Sequence, residues 1–471
     1  MNQQLRKLYL LNLPLMLASV GWLAWIVPND WMLLGSAVLG ALVGAYALWQ
    51  MFRQAPLRFT HTFAIANLIG YGVGLTYSWI SIPRAGLPLA FYFGKDTASV
   101  TQAMAGVLIS SALLFTLGEA FESEIHIAHR FEFDSRLLFV LFSWTAALIV
   151  AFLLHKVGYM GMDTTGGTVN PAVMLILDMF SVMFGLTALG MLQSRGFQKW
   201  ALRGLLAVQF VLMIPIGRRG MFYTVLTALL ICSRFGVLRV SRTRKLIYAA
   251  VLIGVLAVSM TAFYYLRFAS FGQKHATLAD RIDRAEELYE SGNTAKVNNA
   301  LGENLQKRTF ILGYVSDLLE RSSTMTPAMG WGAAHAAQMM VPSALWGGKE
   351  LYDEETIGSE AYGLPYRDEA NSTFSAGLID FGFMGMLIYP LLLAAAYRMM
   401  AGLMSRVAPQ SVATIVMLFL LANALVTEAG LWTRFVIVRN SVILAIGLTL
   451  LFKIPRVSVR AHQWQYQHRE G

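Results

Sequence analysis

Long apolar runs separated by short basic clusters recur along most of the chain. A helix needs about 20 consecutive apolar residues to cross a hydrocarbon core. Runs of that kind fall near 8–28, 32–52, 61–81, 102–120, 137–155, 171–193, 201–217, 219–234, 246–266, 376–398, 409–428 and 434–452. The pattern predicts an all-α, polytopic membrane protein with about twelve transmembrane helices. Dyad-alternating strand patterns, which would signal a barrel, are not seen. The first run follows Arg6 and Lys7 and lacks a small-x-small cleavage site, so it reads as an uncleaved span.

The pattern divides the chain into transmembrane helices 1–9 over 1–266, an outer helical loop over 267–375, helices 10–12 over 376–453, and a basic tail over 454–471. The loop has its own periodicity. TLADRIDRAEELYESG opens on Thr277 and Asp280, a box-like start, and sets Ile282, Ala285, Leu288 and Tyr289 along one face. LGENLQKRTFILGYVSDLLERS does the same with Leu301, Leu305, Ile311, Tyr314 and Leu318. A long loop with structure of its own usually carries function.

Composition and charge sharpen this picture. The chain is 56% hydrophobic and 14% charged, against roughly a quarter charged for a soluble domain. Positive charge collects in alternate short loops: Arg53 and Arg58, Arg130 and Arg136, Arg195, Lys199 and Arg203, the run from Arg234 to Lys245, Arg398 and Arg406, and the tail from Lys453. In the twelve-span reading all of these fall on one side with both termini, which the positive-inside rule makes cytoplasmic. The net charge of +10 is then a topology signal, and no nucleic-acid partner is expected. The single cysteine, Cys232, forms no intrachain disulfide and reads as a buried filler. With no CxxC, HExxH or Walker pattern, no metal and no cofactor are expected.

One stretch interrupts the apolar pattern. IPIGRRGMFY, Ile214 to Tyr223, places Arg218 and Arg219 between two apolar segments. Fifteen helical steps separate Arg203 from Arg218, and the same number separate Arg219 from Arg234, about 22 Å for each arm. Neither arm lifts the arginines clear of a core about 30 Å thick. Arg439 lies fourteen steps before Lys453, about 21 Å above the inner edge, with Arg434 about a turn and a half nearer the outside. Glu428 closes the preceding span, and Asp178 sits inside the sixth. Intramembrane charge costs at least ~2.5 kcal/mol per residue, so such groups face a cavity or each other.

Two readings of this constellation stand side by side. The arginines snorkel to the outer headgroups or pair with Glu428 and Asp178; or they converge on a polyanion just below the outer surface. Two carboxylates do not neutralise four guanidiniums, and guanidinium suits bidentate phosphate binding.

In its second half the chain resembles bacterial oligosaccharide repeat-unit polymerases of the Wzy type (O-antigen or exopolysaccharide polymerases), which are related to O-antigen ligases. The resemblance rests on an ordered set: GRRGMFY, the Pro342–Trp346 element in VPSALW, NSTFSAGLIDFGFMGMLIYP with Phe381, Gly382 and Gly385, and the closing EAGLWTRFVIVRNS. It implies a GT-C-like glycosyltransferase in the bacterial inner membrane with its active site facing the periplasm. Its substrate would be an undecaprenyl-diphosphate-linked oligosaccharide, and its partners membrane lipid and a chain-length regulator. The growing glycan would pass to the terminal sugar hydroxyl of a new lipid-linked repeat unit. Arg218, Arg219 and Arg439 would stabilise the leaving diphosphate, so that no metal is needed.

A general base for the acceptor hydroxyl remains open among His335, Glu360, Asp368, Glu369 and Asp380. Each has an ordinary alternative: His335 as an interfacial histidine, Asp380 as a helix cap. Tyr366, Arg367, Asp368, Glu369 and Asn371 suit sugar hydroxyls and equally suit a solvated loop. Other classes are an O-antigen ligase acting on lipid A-core and a transporter of lipid-linked oligosaccharide. The transporter needs charge through the full bilayer depth, whereas here it gathers in the outer half.

Overall fold

The computed structural model describes residues 3–53, 56–82, 86–125, 135–154, 171–214, 218–235, 278–291, 311–342, 354–364 and 371–453, with a few isolated positions between them. Among these residues the chain is helical, with no strands. The helices are α1 Gln3–Ile26, α2 Asp30–Phe52, α3 Phe59–Ser81, α4 Thr97–Phe121, α5 Ser135–Leu153, α6 Pro171–Asp178, α7 Phe180–Gln193, α8 Gly196–Met213 and α9 Arg218–Arg234. The segment between α9 and the later long helices contributes α10 Leu278–Glu290, α11 Leu312–Arg321, α12 Trp331–Gln338 and α13 Glu354–Tyr362. Then come α14 Thr373–Val407, α15 Gln410–Ala424 and α16 Leu431–Lys453.

Helices occupy every apolar run of the sequence except 246–266, which lies outside the described residues apart from isolated positions. Among the described residues six are long and apolar enough to cross a membrane: those over Asp30–Phe52, Phe59–Ser81, Thr97–Phe121, Ser135–Leu153, Thr373–Val407 and Leu431–Leu451. Shorter apolar helices cover Asn12–Ile26, Phe180–Gln193, Gly220–Arg234 and Gln410–Ala424. The protein is a helical membrane protein. The sixth predicted span is broken at Met179 into α6 and α7, just after Asp178.

Helix starts are held by polar side chains. Asn29 accepts from the Met32 amide at 2.9 Å at the start of α2, and Asp96 accepts from Ser99 at 2.9 Å at the start of α4. The start of α3 is capped from another helix: the Glu122 carboxylate accepts the amides of Phe59 at 2.8 Å and Thr60 at 3.0 Å. The core is an apolar layer shared by α2, α3, α4, α14 and α15, including Phe63, Leu68, Leu108, Met386 and Phe419. The helix α11 packs on α4 and is tied near its N-terminal end by the Lys95–Asp317 ion pair.

α14 is two helices joined by a reversal. Phe381 (φ −138°, ψ 19°) and Gly382 (φ 57°, ψ −149°) leave helical geometry, and the left-handed φ of Gly382 favours glycine. The first arm, 373–380, folds back on the second, 383–407, so tightly that a Cβ on Gly385 would lie 1.9 Å from the Gly377 carbonyl oxygen. The Phe-Gly-x-x-Gly element is therefore the geometry of this reversal. Lower on the second arm, Pro390 has no amide for the Met386 carbonyl, and the Ser110 hydroxyl of α4 donates to that carbonyl at 3.4 Å instead.

Candidate functional site

The reversal leaves carbonyls at the end of the first arm of α14 with no helical partner. Three of them find one in the segment 311–364. Tyr362 donates its hydroxyl to Leu378 O at 2.6 Å, the Ala328 amide donates to Ile379 O at 2.8 Å, and the Met329 amide donates to Asp380 O at 2.8 Å. Burial first, and the Asp380 carboxylate second, push the Tyr362 phenol up to about 12, so it stays a donor at physiological pH. Arg321 completes the corner, donating to the carbonyls of Tyr362 and Gly363 at the C-terminus of α13 at 3.0 and 3.1 Å.

Asp380 itself is fully buried. Its carboxylate accepts the amides of Gly332 and Ala333, each at 2.8 Å, and the hydroxyl of Tyr389. Those amides open α12, whose N-cap, Gly330, has no side chain to offer them. The sequence reading placed Asp380 among groups open to substrate, or as a cap on its own helix. The structure makes it the cap of a different helix, with its oxygens already engaged. A Cβ at 332 would lie 2.9 Å from the carboxylate, so the short approach requires glycine there.

The other end of α12 meets Arg439. Its guanidinium donates to Met339 O, at the C-cap of α12, at 3.0 Å. It also donates to the side-chain oxygen of Asn440 at 3.1 and 3.0 Å. The Asn440 amide in turn donates to Asp178 at 2.7 Å. The expected association of Arg439 with Asp178 thus runs through Asn440, a polar residue in an apolar helix that sequence reasoning passed over although its position alone was a signal. Arg439 is half-buried. Between the two clamps α12 carries His335, whose ring meets Trp331 edge-on at 5.2 Å.

Arg434 differs from the other arginines. It is 1% exposed, and its guanidinium donates to the carbonyls of Asn423 and Val426 at the end of α15 and lies 5.0 Å over the Phe63 ring. It is a cation at a helix C-terminus, held there by these two carbonyls. α15 has 15 residues, a length of about 22 Å, and the turn 425–430 follows it. There Thr427 donates to Ala66 O at 2.8 Å, and its own amide donates to the Tyr223 hydroxyl at 3.2 Å.

That turn gathers several elements. Buried Glu354 of α13 accepts the Leu431 amide at the start of α16, and Glu428 lies part-buried within the turn. Tyr223 belongs to GRRGMFY, so the same turn anchors α9. Arg218 and Arg219 occupy the first turn of α9, and Arg219 shares the helix face of Tyr223, four residues on; their side chains lie outside the described residues. Tyr366, Arg367, Asp368 and Glu369 also lie outside them. Asn371 is part-buried beside Ser372, which caps α14, and Glu360 is exposed on α13. On the predicted face of α10, Ile282 and Tyr289 are exposed while Ala285 and Leu288 are part-buried. No group of three or more metal-ligating side chains occurs among the described residues.

The structure therefore brings together Asp178, Arg439, His335 and Asp380, through α12 and Asn440, and assigns Arg434 to the fold. Comparison of the chain with known protein families, with curated proteins and with solved structures finds no match.

Proposed function

We propose that this protein is a membrane glycosyltransferase that polymerises oligosaccharide repeat units carried on undecaprenyl diphosphate, at the outer face of the bacterial inner membrane. The observation that carries the reading is Arg439: a half-buried guanidinium in contact with the C-terminal end of the helix that bears His335. The helix α9, whose first turn carries Arg218 and Arg219, is bonded through Tyr223 to the turn that precedes α16.

In this reading the acceptor sugar hydroxyl attacks the anomeric carbon of the donor glycan. A new glycosidic bond forms as the bond from that carbon to the diphosphate oxygen breaks, and undecaprenyl diphosphate leaves with the electron pair. The hydroxyl proton passes to a base, for which His335 is the candidate the geometry favours, because Asp380 is already engaged. Arg218, Arg219 and Arg439 offset the charge growing on the leaving diphosphate. Charge-assisted, partly desolvated contacts of this kind are each worth several kcal/mol at a transition state, so loss of one should cost about 10²–10³ in rate.

The test is polymer formation by purified protein in vesicles supplied with lipid-diphosphate repeat units. Arg218→Ala, Arg219→Ala and Arg439→Ala are each expected to lose long polymer while leaving single repeat units and membrane insertion intact. Normal long polymer in all three would overturn the reading. Product appearing in one step on lipid A-core, with no ladder on the lipid carrier, would assign the chain to the ligases instead.

A further inference from the structure

Arg439 and Asn440 are neighbours in α16, and side chains one residue apart on a helix do not normally face each other. Here the long arginine stem turns back, so that Nε and Nη2 both donate to the Asn440 side-chain oxygen, at 3.1 and 3.0 Å. Nη1 donates to Met339 O at 3.0 Å. A guanidinium has five N–H groups; with three engaged, two remain, one on each Nη. On its other side the Asn440 amide nitrogen donates to the Asp178 carboxylate at 2.7 Å. Asn440 is 1% exposed, whereas Arg439 is half-buried. The amide fits between these two groups only one way round. The carboxylate accepts and the guanidinium donates, so a flipped amide would set acceptor against acceptor and donor against donor.

We infer that Asn440 and Asp178 are positioning residues for Arg439: Asp178 fixes which way round the Asn440 amide lies, and the amide oxygen aims the guanidinium without neutralising it. A carboxylate at 440 would take the same two N–H groups, but as an ion pair, and its negative charge would oppose any second anion on that guanidinium. The carboxamide has the same shape and no charge, so the charge of Asp178 is kept one side chain away from the arginine. The two unengaged N–H groups, one on each Nη, are a fork matched to two oxygens of one phosphate group. Holding the long side chain in place beforehand also removes rotamer entropy from the cost of binding. Neither Asn440 nor Asp178 touches the diphosphate in this arrangement; both act through Arg439. Asp178, expected from the sequence to meet substrate or to pair with an arginine, serves instead as the acceptor that orders the amide. The inference rests on the assignment of Arg439 to the diphosphate, and its test separates the two.

The test uses the full chain in lipid nanodiscs with undecaprenyl diphosphate as the probe. It measures the affinity for the probe, the melting midpoint without it, and the rate of polymer formation at saturating repeat unit. The double variant Asp178→Asn with Asn440→Asp exchanges the two groups. Its net charge is unchanged, the new carboxamide donates to the new carboxylate, and that carboxylate accepts the two Arg439 N–H groups. A merely structural bridge is indifferent to this exchange. Positioning without neutralisation is not: the melting midpoint is expected to stay at the wild-type value, while affinity for the diphosphate and the saturated rate each fall about tenfold or more. Asn440→Leu, similar in size and suited to an apolar helix, removes the oxygen altogether and is expected to weaken diphosphate binding about fivefold or more. It keeps the inference open to refutation if the exchanged protein fails to fold. Wild-type affinity and rate in the exchange variant, or wild-type affinity in Asn440→Leu, would overturn the positioning role. Loss of polymer in Arg439→Ala alongside that result would leave the proposed function standing. Normal polymer in Arg439→Ala, with no binding of the diphosphate by the wild-type protein, would overturn both.

Discussion

Gly385→Ala should unfold the protein far more readily than the same change at Gly402, although both glycines lie on α14. At 385 an added methyl would stand 1.9 Å from Gly377 O, 2.5 Å from its carbonyl carbon and 2.9 Å from its Cα. Ordinary contact is about 3.5 Å. All three atoms are backbone, so no side chain can swing aside, and the two arms must part by about 1.6 Å. Overpacking of this kind costs about 1–3 kcal/mol. Parting the arms also strains the three bonds that satisfy the reversal, from Tyr362, Ala328 and Met329, each worth about 0.5–1.5 kcal/mol. The expected loss is about 2.5–7.5 kcal/mol. At 402 nothing lies within 4 Å of the added Cβ, and alanine in place of helical glycine should gain about 0.5–1 kcal/mol. Buried Cys232 on α9 supplies the assay: its reaction with a fluorogenic maleimide during a temperature ramp in one detergent reports unfolding. Gly385→Ala should shift the midpoint down and Gly402→Ala slightly up. A Gly385→Ala protein melting at or above the wild-type midpoint would refute the tight reversal.

Three further outcomes are expected in the same assay. Arg434→Met leaves the carbonyls of Asn423 and Val426 without their donor and should cost about 2–6 kcal/mol. Arg439→Met, which frees one carbonyl and a half-buried site, should cost well under half of that; equal losses would argue against separating the two arginines. Tyr362→Phe removes the hydroxyl serving Leu378 O and should cost about 1–3 kcal/mol, and an unshifted midpoint would contradict that bond's role. Glu354→Gln keeps an acceptor for the Leu431 amide and should be milder than Glu354→Ala, for which a cap loss of about 1–2 kcal/mol is expected; the reverse order would mean that the carboxylate charge, not the cap, is what matters.

The partners of the charged residues were only partly legible in the sequence. It grouped Arg439 with Asp178, and the structure links the two through Asn440. It grouped Arg434 with them as well, whereas Arg434 is bonded to the end of α15. α15 stops after 15 residues, and the turn behind it is set by Thr427 on Ala66 and Tyr223 on Thr427, contacts between residues far apart in the chain. No local pattern encodes these contacts.

What the sequence determined by itself was the class of molecule and the place of its helices: a chain in lipid satisfies its backbone only as helices or as a closed barrel, and continuous apolar runs without strand alternation leave the helix. It also marked the unusual glycines, since Gly377, Gly382 and Gly385 recur within nine residues of an otherwise apolar run. Only the tertiary structure decided what the charged and polar residues do. Asp380 and Arg434 look alike in sequence as charges in or near spans, yet one caps the start of α12 and the other the end of α15. The physical reason is that a helix end leaves its amides or carbonyls unpaired, and which side chain reaches them depends on how distant helices pack.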